Sequence, residues 1–440
     1  MKKSLILGMA ASLLALPLSA QEKWDLSRCI NHAIEHNLNI KQREASCEQT
    51  EVKLNTAQWS RLPNLTGSAG QSFNFGRSIQ KDNTYQSVNT QSTNFSLNTN
   101  IPLFTGMRIP NNIALAKLDV KAALEDLNKA KEDISIQVTS AYLQVLFNEE
   151  IAKVAHSQAE MSQELLKEKL EYFKNGKASE AEYYEAKARA EQDKLSAVQA
   201  DNKLQLSLLD LSQLLELPSP ENFGIVNPQL PEDHLFNAME TPAEIYQEAL
   251  QIKPSIKAAQ FRVEGAERNI RIAQSAYYPQ LSLTGGISSN YYHSSHGINH
   301  SFHSQMKDNF GQFIGFQLSV PIFNRLSTRN QTRLARIQHS TLNFQLEESK
   351  KNLFKEIQVA YYNAVGAKSR YQTSDTAEKA AQLSFNLMKE KYVNGKANAT
   401  AYNEARTNWM KTVSEKIQAK YDYLFRTKIL DFYKGAPLKL

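Results

Sequence analysis

Two things are nearly missing from this 440-residue sequence: cysteine, of which there are two, and any long hydrophobic run beyond the first twenty residues. Cys29 and Cys47 read as lying on one helix, roughly 27 Å apart at 1.5 Å per residue. That is too far for an internal disulfide, so cross-links do not build the fold. After residue 20 no stretch of about 18 apolar residues occurs, so no membrane-spanning helix is expected, and the mean hydropathy of −0.49 agrees. Neither sign of charge dominates, with 51 basic against 45 acidic residues and a net charge of +6. Basic residues read as dispersed among acids, without a basic stripe carrying interleaved aromatics, which argues against nucleic acid as a partner. No glycine-rich phosphate loop and no nucleophile paired with a base are present. Neither an enzymatic activity nor a cofactor is therefore expected.

What is present begins with a secretory pattern over residues 1–20. Lys2 and Lys3 precede an apolar stretch from Leu5 to Leu18, and Leu18-Ser19-Ala20 forms a small-residue cleavage site before Gln21. No cysteine follows the cut, so no lipid anchor is expected. An exported chain without a spanning helix is either soluble or crosses a membrane as a closed β-barrel, which satisfies its backbone hydrogen bonds internally.

The chain is also written twice. Lys174-Asn175-Gly176-Lys177-Ala178 recurs as Val393-Asn394-Gly395-Lys396-Ala397. At the same offset Ala141-Tyr142 matches Ala360-Tyr361, Glu185-Ala186 matches Glu404-Ala405, and Ile101-Pro102-Leu103-Phe104 matches Val320-Pro321-Ile322-Phe323. This divides the mature chain into repeats at 21–216 and 242–440, joined by a proline-rich linker at 217–241 that we expect to lie as a belt outside the helices. Each repeat reads as a helix, two strands, a very long helix, a turn and a helix. The first helices are expected at Leu26–Leu62 and Pro242–Tyr278, each ending before a proline, which biases the preceding residue away from helix.

The strands are expected at 64–77, 93–104, 280–293 and 310–323. In the second, Phe95, Leu97, Ile101 and Leu103 share one face while Asn94, Ser96, Asn98 and Asn100 share the other. In the fourth, Ile314, Phe316, Leu318 and Val320 share a face. Each is about the length of a transmembrane β-strand, and this alternation is the pattern of an outer-membrane barrel. The long helices, at 105–174 and 324–393, would each extend roughly 105 Å, more than any single globular core. Ile134, Val138, Ala141 and Val145 form a seam at steps of four, three and four, repeated by Leu353, Ile357, Ala360 and Ala364.

Four strands cannot close a barrel, and an open sheet in lipid leaves its edges unsatisfied. Strands must then be pooled between subunits. Two copies would give eight strands and a filled interior, whereas three would give twelve and leave a pore.

With these features, and with Tyr172-Phe173-Lys174-Asn175-Gly176 and Tyr392-Val393-Asn394-Gly395 each followed by an alanine-rich helix, the chain resembles the TolC outer-membrane efflux family over about Trp24 to Gly435. The resemblance implies a mainly α fold with membrane β. It implies a homotrimer whose twelve-stranded β-barrel continues into a long periplasmic α-helical barrel. The implied location is the outer membrane, in contact with its lipid, with a periplasmic extension. The implied partners are a periplasmic adaptor (membrane fusion protein) and an inner-membrane pump, for which the chain would be the passive exit duct in efflux or type I secretion. The glycine turns would form the tip, with Tyr172, Asn175, Gly176, Tyr392, Asn394 and Gly395 as candidates for adaptor docking. Glu182 and Glu404 match positions that line the aperture in the family. Here the sequence departs from the family pattern, since Ala401 stands where another acid is common and Ala397 where a basic residue belongs.

Other constellations carry less. His32-Ala33-Ile34-Glu35-His36 fits a zinc-protease pattern, but the matching helix of the second repeat lacks it. His293, His296, His300 and His303 cluster in the loop between the third and fourth strands and are weak metal candidates; the matching loop of the first repeat holds no histidine, so no metal site is expected. The chief alternative to a duct is an exported coiled-coil structural or adhesive protein without transport activity, which leaves the duplicated amphipathic strands unexplained.

Overall fold

The computed structural model describes residues 22–79, 83–219, 223–228, 239–296 and 298–439. The expected signal segment and part of the linker lie outside them. A short strand β1 (Glu22–Trp24) is followed by α1 (Leu26–His36), α2 (Leu38–Trp59), β2 (Asn64–Asn74), the small strands β3 (Arg77–Ile79) and β4 (Tyr85–Ser87), β5 (Thr90–Phe104), α3 (Arg108–Lys174) and α4 (Glu180–Leu214). After β6 (Phe223–Ile225) the order recurs as α5 (Pro242–Ile252), α6 (Pro254–Gln274), β7 (Gln280–Ser294), α7 (Phe302–Asp308), β8 (Gly311–Ser319), α8 (Ser327–Val393) and α9 (Ala399–Tyr433). None of the described helices is long and apolar enough to cross a membrane.

The repeats do not become two bodies. Among the described residues, one compact unit draws on the segments 22–44, 126–256 and 350–439, the other on 45–125 and 257–349. Both units draw on both repeats.

In the second unit the four long strands form one antiparallel sheet in the order β2-β5-β7-β8, so the centre of the sheet joins the repeats. The register aligns the apolar positions. Gly67 faces Leu97, Leu97 faces Ile287, Ile101 faces Leu283, and Leu283 faces Phe316. On the opposite face Ser68 is paired with Ser96, their hydroxyls 2.7 Å apart, and Asn98 donates to Ser96 at 3.0 Å. The apolar face is bare: Ile314, Phe316 and Leu318 are 79%, 75% and 64% exposed. The outer edges of β2 and β8 have no partner strand among the described residues.

Both long helices start three residues later than expected, for one reason. Gly106 and Met107 before α3, and Arg325 and Leu326 before α8, are consecutive left-handed residues with φ between 53° and 69°. The pair turns the chain sharply out of the strand before a helix can begin. At Gly106 the space is also filled, since a Cβ would lie 2.4 Å from the Ser275 carbonyl oxygen.

The first helix of each repeat, expected as one, is broken into two. Asn37 (ψ 130°) separates α1 from α2 and Lys253 (ψ 124°) separates α5 from α6. At Lys253 the cause is Pro254, which disfavours helical geometry in the residue before it. At Asn37 the side chain accepts from the Asn39 amide at 2.9 Å and so competes with the helical bond. Both break residues reach the end of the last helix of their own repeat: Asn37 donates to the Leu214 carbonyl at 3.4 Å and Lys253 to the Phe432 carbonyl at 3.1 Å. Lys253 is buried, lies 3.6 Å from the centre of the Phe432 ring and pairs with Glu132 at 3.3 Å. Burial lowers its pKa and raises that of Glu132, so desolvation outweighs their mutual attraction.

The first unit is held by the expected seams. Ile134, Val138 and Val145 are buried with Ala141 packed against them, and Leu353, Ile357, Ala360 and Ala364 are buried in the copy. The linker contributes β6, which pairs in parallel with β1, and Tyr142 donates to the Val226 carbonyl at 2.6 Å. Cys29 and Cys47 are both free and fall on separate helices. Burial pushes the Cys29 thiol up to about 12, so it packs as an inert small side chain.

Gly106→Ala is expected to lower stability by about 2 kcal/mol or more through the left-handed φ and the collision with Ser275. Gly70→Ala, where a Cβ meets nothing within 4 Å, is the comparison, and thermal unfolding of the two variants checks it.

Candidate functional site

The two turns that end α3 and α8 are built alike. At the first, Gly176 (φ 69°) lets Lys177 N–H donate to the Tyr172 carbonyl at 2.7 Å and Gly176 N–H to the Phe173 carbonyl at 3.0 Å. At the second, Gly395 (φ 69°) lets Lys396 N–H donate to Lys391 at 2.7 Å and Gly395 N–H to Tyr392 at 3.0 Å. These are Schellman turns, which satisfy the last carbonyls of a helix and require a left-handed residue. Asn175 and Asn394 add side-chain bonds to the carbonyls of Glu171 and Glu390 at 2.7 and 2.8 Å. The Asn-Gly pair therefore has a local structural role in both repeats.

The remaining expected site residues divide. Glu182 forms a capping box at the start of α4: its carboxylate accepts the Ser179 N–H at 3.0 Å while the Ser179 hydroxyl accepts the Glu182 N–H at 3.2 Å. Glu404 is exposed on α9. Tyr392 stacks on Tyr402 with ring centres 4.9 Å apart, and its counterpart, Phe173, stacks on Tyr183 at 5.6 Å. Tyr172 is a different position, exposed, with its phenol pKa raised by the neighbouring Glu168. Lys169 stands over both tyrosine rings, 6.0 Å from Tyr172 and 5.4 Å from Tyr392, and so brings the two turns together.

Behind the second turn the stack continues. Tyr402 meets Phe385 at 5.6 Å and Phe385 meets Trp409 at 5.0 Å, making a four-ring column between α8 and α9. The first repeat has Leu166 and Ala190 where Phe385 and Trp409 stand.

A buried ion pair lies further along, unforeseen in the sequence. Arg406 on α9, 1% exposed, holds Asp193 on α4, 3% exposed, at 2.6 Å and donates to the Gln158 carbonyl on α3 at 3.2 Å. Asp193 also accepts from Gln158 at 2.8 Å and from Ser162 at 2.9 Å. Arg189 reaches it at 3.4 Å and donates to Thr407 at 2.9 Å. A signal for it existed: Ala190, Asp193, Ala197 and Ala200 follow core spacing, and the one charged residue among them is Asp193.

Among the described residues no three His, Cys, Asp or Glu side chains are placed to hold a metal ion. The His32 and His36 rings stack at 4.0 Å. His296 lies beside the Ser295 hydroxyl, and the His300 backbone accepts from Gln305.

With the geometry established, comparison with known proteins is specific. The family model described as outer membrane efflux protein matches residues 29–216 and 245–435, so the chain belongs to that family. Both matched segments are repeats, and the gap falls at the linker. Similar proteins include the outer membrane protein TolC of Escherichia coli strain K12, 23% identical with 96% of this chain and 84% of the relative covered. The outer membrane efflux protein BepC of Brucella suis biovar 1 is 20% identical, with 90% and 82% covered. A solved structure of CusC superposes with a TM-score of 0.78 at 17% identity, covering 94% of this chain and 92% of that one. The Campylobacter jejuni CmeC outer membrane channel superposes at 0.76 and 21% identity, covering 93% and 85%. The chain has the fold of the outer-membrane efflux channels, and it is an outer-membrane exit duct with a periplasmic extension. Members of the family form trimeric channels that work with adaptor proteins and inner-membrane pumps, and act as ducts rather than enzymes.

Asp193→Ala is expected to destabilise the protein by about 3–5 kcal/mol, because it leaves the buried Arg406 charge without its main partner. Joint replacement by Asp193→Ala and Arg406→Leu is expected to restore much of that loss, as read from thermal unfolding.

Proposed function

We propose that three copies of this chain pool their strands into one twelve-stranded barrel, and that the two glycine turns of each copy form the periplasmic tip of the duct. The observation that carries this is the four-stranded sheet, which is apolar on one exposed face, polar on the other and, among the described residues, unpaired at both edges. Three such sheets joined edge to edge satisfy every edge and leave a polar lumen. The turns with Tyr172, Asn175, Gly176, Tyr392, Asn394 and Gly395 form the surface at which a periplasmic adaptor docks, and the adaptor connects the duct to an inner-membrane pump. The duct has no catalytic step of its own, since the pump supplies the energy.

The aperture reading is strongest at Glu404. Its carboxylate is exposed on α9, whereas that of Glu182 is engaged in a helix cap. Threefold symmetry makes Glu404 a ring of three carboxylates, which favours cations. Glu182 contributes a second, weaker ring through the field of its capped carboxylate.

The purified protein is expected to have the mass of a trimer and to conduct in planar bilayers. Under a salt gradient Glu404→Gln is expected to move the reversal potential toward zero, with cation preference reduced about twofold or more. A monomeric mass would overturn the barrel, and an unchanged reversal potential would remove Glu404 from the aperture.

A further inference from the structure

Three long stretches lack acidic residues, 83–118, 268–307 and 309–346, and the last of them holds four arginines within twelve residues. These arginines stand at 325, 329, 333 and 336. Arg325 closes the junction after β8, and the other three fall on α8 at steps of four and three, which places them on one face. All four are exposed, and among the described residues none has a side-chain hydrogen bond or an acidic partner. Five arginines elsewhere, Arg189, Arg271, Arg370, Arg406 and Arg426, each hold a carboxylate, while the other arginines that show no carboxylate partner are scattered singly rather than stacked on one helix face. The helix fold does not require the stripe. The matching positions of the first repeat are Gly106, Pro110, Ala114 and Lys117.

Its place in the chain is informative. The bare apolar face of β8, through Ile314, Phe316 and Leu318, is followed by exposed Val320, Ile322 and Phe323, and Arg325 comes two residues later. The positive stripe thus begins where the apolar surface ends. It is also distinct from the apolar stripe of α8. Exposed Leu334 and Ile337 on α8 each follow an arginine by one residue, which on a helix is about 100° further round. The apolar stripe suits a second copy of the chain, and the arginines beside it suit something anionic.

We propose that Arg325, Arg329, Arg333 and Arg336 bind the phosphate headgroups of anionic phospholipids in the periplasm-facing leaflet of the outer membrane; the proposal rests on the reading of β8 as a membrane strand. A cluster of four basic residues directly beside a membrane segment is attracted to anionic lipid. The guanidinium fork matches two oxygens of a phosphate. The headgroup layer is about 5–7 Å deep on each side of the hydrocarbon. α8 begins at Ser327, so Arg329 stands about 3 Å beyond the start of the helix, inside that layer, and Arg336 about 14 Å beyond. Arg333 and Arg336 reach back toward the layer along their long side chains. A soluble anion passing through the lumen would be recognised by the same chemistry, and the experiment separates the two.

The test uses the full-length protein extracted from outer membranes as wild type, as R329Q/R333Q/R336Q and as R329K/R333K/R336K. Arg325 is left in place because its left-handed backbone would confuse the comparison. Each protein is exchanged into mixed micelles with equal phosphatidylglycerol and phosphatidylcholine, and retained lipid is counted by native mass spectrometry. Reversal potentials are measured in parallel in planar bilayers. Wild type and the lysine variant are expected to retain phosphatidylglycerol preferentially, and the glutamine variant to lose that preference by about tenfold. If the triple glutamine variant does not assemble, each single glutamine variant is expected to lose about twofold. An undiminished preference in assembled glutamine variants overturns the proposal. So does a changed reversal potential with unchanged lipid retention, which assigns the stripe to the lumen. Recovery of all variants as trimers from the membrane fraction would then leave the barrel reading standing. Absence of the wild type from that fraction would instead remove the barrel reading itself.

Discussion

Each backbone N–H and C=O at the edge of a β-sheet must find a partner, and this requirement is most severe in lipid. An unsatisfied group there costs several kcal/mol, while the whole stability of a folded domain is about 5–15 kcal/mol. Among the described residues, β2 and β8 together present two open edges. A lone copy in the membrane is therefore excluded by a wide margin, and association with further copies is a condition of folding into the membrane. The rest of the chain follows from that condition. The sheet turns its apolar positions to one side because the lipid lies there, and its serines and asparagines to the other because water does. At the end of the sheet the chain must be redirected within a few residues, and the left-handed pairs Gly106-Met107 and Arg325-Leu326 do this.

Duplication supplies the same devices twice, and the differences between copies show what each device must achieve. The left-handed junction works with Gly106 in one repeat and Arg325 in the other, so glycine is required only where Ser275 crowds the backbone. The helix break arises from Pro254 in one repeat and from the Asn37 side chain in the other, and in both the break residue donates to a carbonyl at the end of a neighbouring helix. Both helix-ending turns carry glycine although a Cβ would meet nothing within 4 Å there, so the left-handed backbone alone favours it. Behind the turns the repeats diverge. A column of four rings stiffens the second hairpin, whereas the first offers leucine and alanine at the corresponding places.

The strand pattern and the helical seams were legible because they rest on short-range periodicity, and the repeat because matching segments recur at one offset. Alternation of Phe95, Leu97 and their neighbours survives as the apolar face, and the seams through Val138 and Ile357 survive as core. The break at Asn37 was hidden because apolar spacing runs through it without a proline. Pro254 marked the equivalent point in the second repeat, and the continuous pattern outweighed it. The pairing of β1 with β6 involves three residues on each side, too few to show a period, from segments distant in sequence. Arg406 and Asp193 likewise come from different repeats, so no local pattern could pair them. The only trace was a carboxylate at a core position. For the candidate site the turns were visible through glycine, but the engagement of Glu182 in a helix cap was decided by a hydroxyl three residues away.

The Arg406–Asp193 pair gains its meaning from where it stands rather than from the stability it adds. A buried ion pair contributes little net energy over an apolar substitute, because desolvation offsets most of the attraction. What it contributes is a directional requirement: Asp193 must meet Arg406, Arg189, Gln158 and Ser162 at once, which fixes α3, α4 and α9 in a single register. The turns beyond it are held by bonds within their own helix ends, by aromatic stacking and by Lys169 over Tyr172 and Tyr392, none of which is a buried ion pair. A local adjustment of the helices is therefore least costly in the segments between this pair and the glycines, and most costly behind it. The sequence concentrates its polar precision at the point where motion should stop.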